Sequence, residues 1–121
     1  MCKMWRRERE AMTHVRRISV VYANWCPHCV PTTVEPMKQC AAELGAELDL
    51  VDIDAEEGRG DRLVREYGDW AEDYSIPQVF FGLDDGRTVH VMTGFSEGVP
   101  LTRAAVERLR RSRFYSELMR R

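Results

Sequence analysis

The chain has 121 residues, enough for one domain that buries about two-thirds of its unfolded surface, and its 44% hydrophobic and 31% charged content excludes a disordered chain. No apolar run approaches the roughly 20 residues that span a bilayer, and the charged start, residues 1–10, leads into no secretory core. The formal charge of −2 conceals a segregation: residues 1–17 carry +4, residues 18–98 carry −11 and residues 99–121 carry +5.

These features predict a single domain over residues 1–121, with a core of about 17–110 and basic extensions at both ends, working in the cytoplasm. The basic ends read as solvated helix faces that pair with the acidic body. They lack the interleaved aromatics and glycines of a nucleic-acid module, so neither a nucleic-acid nor a membrane partner is expected, and the domain is expected to act as a monomer.

In chain order, residues 3–14 allow a short charged helix. Residues 17–23, R-I-S-V-V-Y-A, are a β-branched and aromatic run that fits a buried strand. From Pro27 to Leu44 the apolar residues Val30, Val34, Met37, Ala41 and Leu44 recur at helical spacing, and Gly45 supplies a stop. Pro31 and Pro36 each remove a backbone donor, which predicts an irregular first turn. Residues 47–54 alternate polar and apolar as a second strand, parallel to the first across the helix. Residues 58–74 resume helical spacing through Leu63, Tyr67, Trp70 and Tyr74. Residues 78–81 and 88–93 read as strands joined by the turn signal Asp84-Asp85-Gly86, hence antiparallel neighbours. Pro100 opens a last helix with Leu101, Ala105 and Leu109 inward, and residues 110–121 either extend it or form a separate basic piece. The fold class is therefore α/β: a mixed four-stranded sheet with helices on both faces.

The chemistry concentrates in N-W-C-P-H-C-V-P, residues 24–31. Two cysteines two residues apart serve as metal ligands, as a structural disulfide or as a redox pair, and the surroundings discriminate. In a reducing compartment four cysteines are more readily reactive, metal-bound or simply buried than paired as staples. Pro27 suits a first helical turn, which predicts Cys26 at an N-cap, where free backbone N–H groups and the helix dipole stabilise a thiolate. His28 adds a donor or a positive charge in the same turn. Cys29, one turn on, lies deeper and within disulfide reach, so Cys26 is the attacking thiol and Cys29 the resolving one. A zinc site needs two more ligands, and Cys2, Cys40, His14, His28 and His90 form no second close pair. Val30 stands where haem attachment requires histidine.

The chain resembles the thioredoxin superfamily through V-V-Y-A-N-W-C-P-H-C (20–29), V-D-I-D (51–54), S-I-P-Q-V-F-F (75–81), Asp85-Gly86 and Thr93-Gly94. The resemblance implies the thioredoxin fold, with Cys26, Pro27, His28 and Cys29 as the catalytic motif and Trp25 as the tryptophan before the nucleophile. It implies a cis Pro77, with Ile76 and Pro77 docking an extended substrate, and Thr93 and Gly94 beside them. The implied activity is thiol-disulfide exchange with protein disulfides or dithiols, with a reductase or glutathione as electron donor. No cofactor is called for, since the Cys26–Cys29 disulfide itself carries the electrons, and no metal is assigned. Val20 and Leu50 stand where thioredoxins carry a buried acid and a lysine. Pro27-His28 is similar to the dipeptide of periplasmic disulfide-forming enzymes, whereas the 76–81 strand and the 93–97 segment are similar to glutaredoxins. A glutathione-dependent enzyme, a non-catalytic binding module and a metal or iron–sulfur carrier are the alternatives.

Among the other residues, Cys40 is expected to be a buried small hydrophobe and Cys2 incidental. Trp70 and Tyr74 are expected to be core or to line a groove. The acidic run 52–57 is expected to be a solvated strand end, and His14 and His90 receive no role.

Overall fold

The computed structural model describes residues 14–26, 29–94 and 99–119. The expected helix over 3–14, Cys2, Pro27, His28 and the stretch 95–97 thus lie wholly or almost wholly outside the described residues. Strand β1 (Val15–Tyr22) leads into helix α1 (Glu35–Leu44), entered through a π turn at Val30–Val34, and then into β2 (Glu47–Asp52). Helix α2 (Glu57–Tyr67), strands β3 (Gln78–Leu83) and β4 (Thr88–Thr93), and helices α3 (Val99–Arg111) and α4 (Arg113–Met119) complete the order. The class is α/β, with one four-stranded mixed sheet in the order β2-β1-β3-β4.

β1 is central. It runs parallel to β2, with Val20 beside Leu50, and antiparallel to β3, with Val20 beside Val79. β3 and β4 form the expected hairpin, whose turn is closed by Leu83 N–H donating to the Arg87 carbonyl at 2.8 Å. Gly86, at φ +93°, takes the left-handed position that the Asp-Gly signal demands.

Successive strand residues enter different clusters, as the two-residue period of a strand dictates. Ile18, Val20, Val79, Phe81 and Met92 pack with Met37, Cys40 and Ala41 of α1, Ala105, Val106 and Leu109 of α3, and Tyr115 and Leu118 of α4. Val21, Val51 and Phe80 pack instead with Val64 of α2. Phe80, Phe81 and Ile18 are fully buried, and each contributes about 1.5–3 kcal/mol over an exposed side chain.

The prolines explain the irregular entry to α1. The Val34 N–H reaches back five residues to the Cys29 carbonyl at 2.7 Å, and Glu35 does the same to Val30. This wider turn removes the clash that the Pro36 ring would have with the carbonyl four residues earlier in a regular helix. The described helical span consequently starts at Val30 with Cys29 as its N-cap, three residues later than the expected Cys26. Gly45 ends α1 at φ +67°, as its position in the sequence predicted.

Two further expectations are corrected. The helix over 58–74 stops at Tyr67, and residues 69–77 form a loop. The cause is close approach: a Cβ on Gly68 would stand 2.4 Å from Gln78 Oε1 and 2.9 Å from Phe80 Cζ. Leu101 is exposed, because the inward stripe of α3 starts from Thr102 and continues through Ala105, Val106 and Leu109. Counting only apolar residues chose the wrong neighbour of that pair.

Residues 110–121 do not simply extend α3. Ser112 interrupts it, its Oγ donating to the Leu109 carbonyl at 2.6 Å and accepting the Tyr115 N–H at 3.1 Å, so that α4 starts with a capped turn. Arg110 reaches Glu43 at 3.0 Å and Tyr115 O–H donates to the same carboxylate at 2.8 Å, so part of the basic C-terminal segment does pair with the acidic body. No described helix is long and apolar enough to cross a membrane.

Candidate functional site

At the C-terminal end of β1 the chain turns out of the sheet beside the end of β2, and these two strand ends are sewn together. Ile53 N–H donates to the Tyr22 carbonyl at 3.0 Å, Asn24 Nδ2 donates to Asp52 at 3.1 Å, and Trp25 Nε1 donates to Asp54 at 3.0 Å. Asp54 N–H in turn donates to Asp52 Oδ1 at 2.9 Å. The acidic run 52–57 is therefore more than a solvated strand end: two of its carboxylates anchor the segment that presents Cys26. Trp25 itself is 68% exposed, with its indole N–H engaged by Asp54.

Two tight turns carry the chain inward from there. Cys26 N–H donates to the Ala23 carbonyl at 3.2 Å, and Cys29 N–H to the Cys26 carbonyl at 3.1 Å. Cys26, Cys29 and Ala23 form a small buried cluster, with Ile53 and Ile76 packed against it. Both cysteines are free thiols, Cys26 4% exposed and Cys29 completely covered.

Their environments differ in a way that matters chemically. Burial pushes the Cys29 thiol well up from its ordinary range, and a hydrogen bond to the Cys26 sulfur pushes it in the same direction, against a backbone hydrogen bond from Ala23. Cys29 therefore keeps its proton and shares it with Cys26. Removing a proton from a thiol this deep requires an acceptor brought to it.

Facing the thiols is the loop that precedes β3. The Ile76–Pro77 peptide bond is cis, Pro77 is buried, and Ile76 lies against the cysteine cluster. Pro77 is held from β4: the Gly94 N–H donates to its carbonyl at 2.7 Å, and a Cβ on Gly94 would stand 2.4 Å from Pro77 Cδ. Glycine is the one residue that lets β4 approach the ring so closely.

Gln78 holds the other end of this loop. It is completely buried, accepts the Asp69 N–H at 3.0 Å, and donates to the Asp69 and Ser75 carbonyls at 3.2 and 2.9 Å. Its amide thus replaces the missing helical partners of the loop after Gly68. Trp70 and Tyr74 ride on the loop with ring centroids 5.6 Å apart, and the Arg65 guanidinium covers Trp70 at 4.3 Å. Trp70 is exposed rather than core.

The structure thus brings Cys26, Cys29 and Ile76 together, with Pro77 and Gly94 directly behind, and sets Trp25 at the rim. Pro27 and His28 lie outside the described residues. Val20 is fully buried among apolar side chains and Leu50 is exposed, so neither position offers Cys29 a titratable neighbour. Reading the sequence missed Gln78, Asp69 and the anchoring roles of Asp52 and Asp54. A polar residue opening an otherwise apolar strand, Q-V-F-F-G-L, was the available signal for Gln78.

A separate cleft of about 500 Å³, lined by Arg17, Ser19, Asp49, Arg59 and Tyr67 among others, contains none of the thiol residues. Arg17 and Arg59 in it already pair with Glu47 and Asp49. Among the described residues no three His, Cys, Asp or Glu side chains gather as a metal-holding group. Compared with known proteins, the chain matches no protein-family model, no curated protein and no solved structure.

Proposed function

We propose that the chain is a thiol-disulfide oxidoreductase, with Cys26 as nucleophile and Cys29 as resolving thiol. More particularly, we read it as a thioredoxin-type domain acting on protein disulfides or dithiols. The observation that carries this reading is the buried contact between Cys26 and Cys29, with Ile76 of the loop before β3 packed against it. The β2-β1-β3-β4 order supports a thioredoxin fold, and the partition of the core between residues of α1, α3 and α4 and residues of α2 supports helices on both faces of the sheet.

The chemistry balances without a bound group. The Cys26 thiolate attacks one sulfur of a substrate disulfide, forming a mixed disulfide and releasing the other substrate sulfur as a thiolate that takes up a proton. Cys29 then gives up its proton to the substrate thiolate just released and attacks the Cys26 sulfur; the Cys26–Cys29 bond forms, the mixed disulfide breaks, and the second substrate sulfur leaves as a thiolate that takes a proton from water. Two electrons pass from the pair to the substrate, with one proton from Cys29 and one from water. A reductase or glutathione returns them, and in the reverse direction the pair oxidises a dithiol. His28 serves as thiolate stabiliser, and Trp25 and Ile76 as the substrate surface, with Pro77, Thr93 and Gly94 supporting it from behind. Thr93 Oγ1 is already bonded to Asp69 and His90, which favours protein substrates over a glutathione-dependent enzyme.

The deciding experiment is a titration of the Cys26–Cys29 pair in glutathione redox buffers, with loss of two thiols read by mass. A single two-electron transition within the range of about −120 to −270 mV supports the reading. Failure to form a disulfide between residues 26 and 29 would return the site to a binding or metal-carrying role.

A further inference from the structure

His90 stands outside the thiol chemistry, yet its geometry ties it to the loop facing the thiols. In a regular strand, residues three apart point to opposite faces. In β4 the pairing with β3 passes from Val79–Met92 to Phe80–His90, so Val91 is an extra residue, a β-bulge. The bulge turns His90 onto the same side as Thr93. The His90 ring then lies 5.5 Å from the Phe80 ring, and its Nε2 is 2.7 Å from Thr93 Oγ1.

The hydrogen bonds run in one direction. Thr93 O–H donates to Asp69 Oδ2 at 2.6 Å, so its single proton is committed and the oxygen can only accept from His90. His90 therefore carries a proton on Nε2, which is also 3.7 Å from the Asp69 carboxylate. Asp69 is the same residue whose backbone N–H and carbonyl are both held by Gln78. Its side chain and its main chain are thus fixed by two different strands. The Asp69 side chain is 68% exposed, and an ion pair in that setting adds little to global stability. The consequence of the network is local: it sets where the 69–77 loop lies relative to β4.

We propose that His90, Thr93 and Asp69 form a clasp that positions the Ile76–Pro77 backbone for a protein substrate, with His90 as a positioning residue that touches neither thiol nor substrate. This rests on the dithiol reading for its purpose, though not for its existence. It implies that the substrate is an extended polypeptide, whose docking depends on where the loop lies. A small disulfide that touches only Cys26 is indifferent to it.

The test uses the full chain and His90→Phe, which keeps a ring on Phe80 but deletes the donor, with His90→Gln as the conservative variant that can still donate to Thr93. Two readouts are taken: hydrogen exchange of the amides in residues 69–76, and steady-state kinetics with insulin disulfides and with oxidised glutathione. The expected result is exchange in 69–76 faster by about fivefold, the scale of one lost hydrogen bond, with core amides unchanged. KM for insulin rises by a similar factor at unchanged kcat, rates with oxidised glutathione stay the same, and His90→Gln restores both. Unchanged exchange in 69–76 overturns the clasp whatever the kinetics show. Faster exchange with unchanged insulin KM, or an equal loss with both probes, overturns the positioning role. If the unsubstituted protein turns over neither probe, the dithiol reading fails and the clasp loses its assigned purpose, while the exchange data still report separately whether the clasp exists.

Discussion

Gly94 and Pro77 meet across two strands, with the N–H of one 2.7 Å from the carbonyl of the other and no room for a side chain between them. A Cβ on Gly94 would come within 2.4 Å of Pro77 Cδ, and a proline ring cannot swing aside as a flexible side chain does. Gly94→Ala is expected to cost about 1–3 kcal/mol, the range for overpacking. Gly58→Ala is the control: a Cβ there meets nothing within 4 Å, and in the first turn of α2 it should be neutral or stabilise by up to about 1 kcal/mol. Urea unfolding of the two variants compares them, and equal midpoints would refute the close-approach argument.

Gln78 supplies a second prediction. Gln78→Leu fills a similar space but leaves the Asp69 N–H, the Asp69 carbonyl and the Ser75 carbonyl without their partner. Such unsatisfied groups cost about 1–3 kcal/mol each when covered, less where water reaches them. The expected loss is about 2–4 kcal/mol, accompanied by protease cleavage within residues 69–76 under conditions where the unsubstituted chain stays intact. A loss below about 0.5 kcal/mol would mean that the loop is held by other contacts.

How much of this was legible follows from what each signal encodes. The strands expected at 17–23, 47–54, 78–81 and 88–93 fall within two residues of those observed, Val15–Tyr22, Glu47–Asp52, Gln78–Leu83 and Thr88–Thr93, because local β-branched and alternating patterns report burial residue by residue while strand ends depend on the neighbouring chain. Gly45 and Asp85-Gly86 encode backbone conformations directly, and the structure uses both as turns. The end of α2 was not legible, because Gly68 is required by Gln78 and Phe80, which are distant in sequence. Leu101 was misplaced for a related reason: helical spacing admits either Leu101 or Thr102 inward, and only the packing of α3 chooses. At the site, the cysteine pair and the cis proline carried their own motifs. The anchors Asp52, Asp54 and Asp69 did not, because a surface carboxylate that grips a loop looks the same in sequence as one that merely faces water.

The unequal environments of the two thiols lead to a third prediction. Cys29 is covered and its proton is held by burial and by the Cys26 sulfur, so it should resist alkylation. With limiting iodoacetamide at pH 7.5, peptide mass mapping should find label on Cys26 at least about tenfold ahead of Cys29, a factor that one unit of pKa alone supplies. Cys40, also covered and raised chiefly by burial, should label last or only on unfolding. Labelling of Cys29 first would reverse the assignment of nucleophile and resolving thiol.

The same buried acids predict how stability responds to alkali. Cys29 and Cys40 are held above an ordinary value of 9.0, Tyr74 is pushed from 10.0 up to about 12, and Tyr115 is raised from 10.0. For Cys29, Cys40, Tyr74 and Tyr115 alike the largest cause is burial; for Tyr74 the hydrogen bond to Asp61, at 3.1 Å, adds to it. Each folded group binds its proton more tightly than its unfolded counterpart, so as pH passes the ordinary value the unfolded chain releases protons that the folded chain keeps. Stability is therefore fully present below about pH 8 and falls from about pH 9 upward until the folded groups titrate in their turn. Each group can contribute a slope of at most about 1.4 kcal/mol per pH unit. Urea midpoints should be flat between about pH 7 and 8 and decline steadily between about 9 and 11, with Cys40→Ala shallower from the start of the decline and Tyr74→Phe shallower above about 10. Midpoints that stay level to pH 11 would contradict the raised values, because no group with a tighter proton in the folded state can leave alkaline stability unchanged.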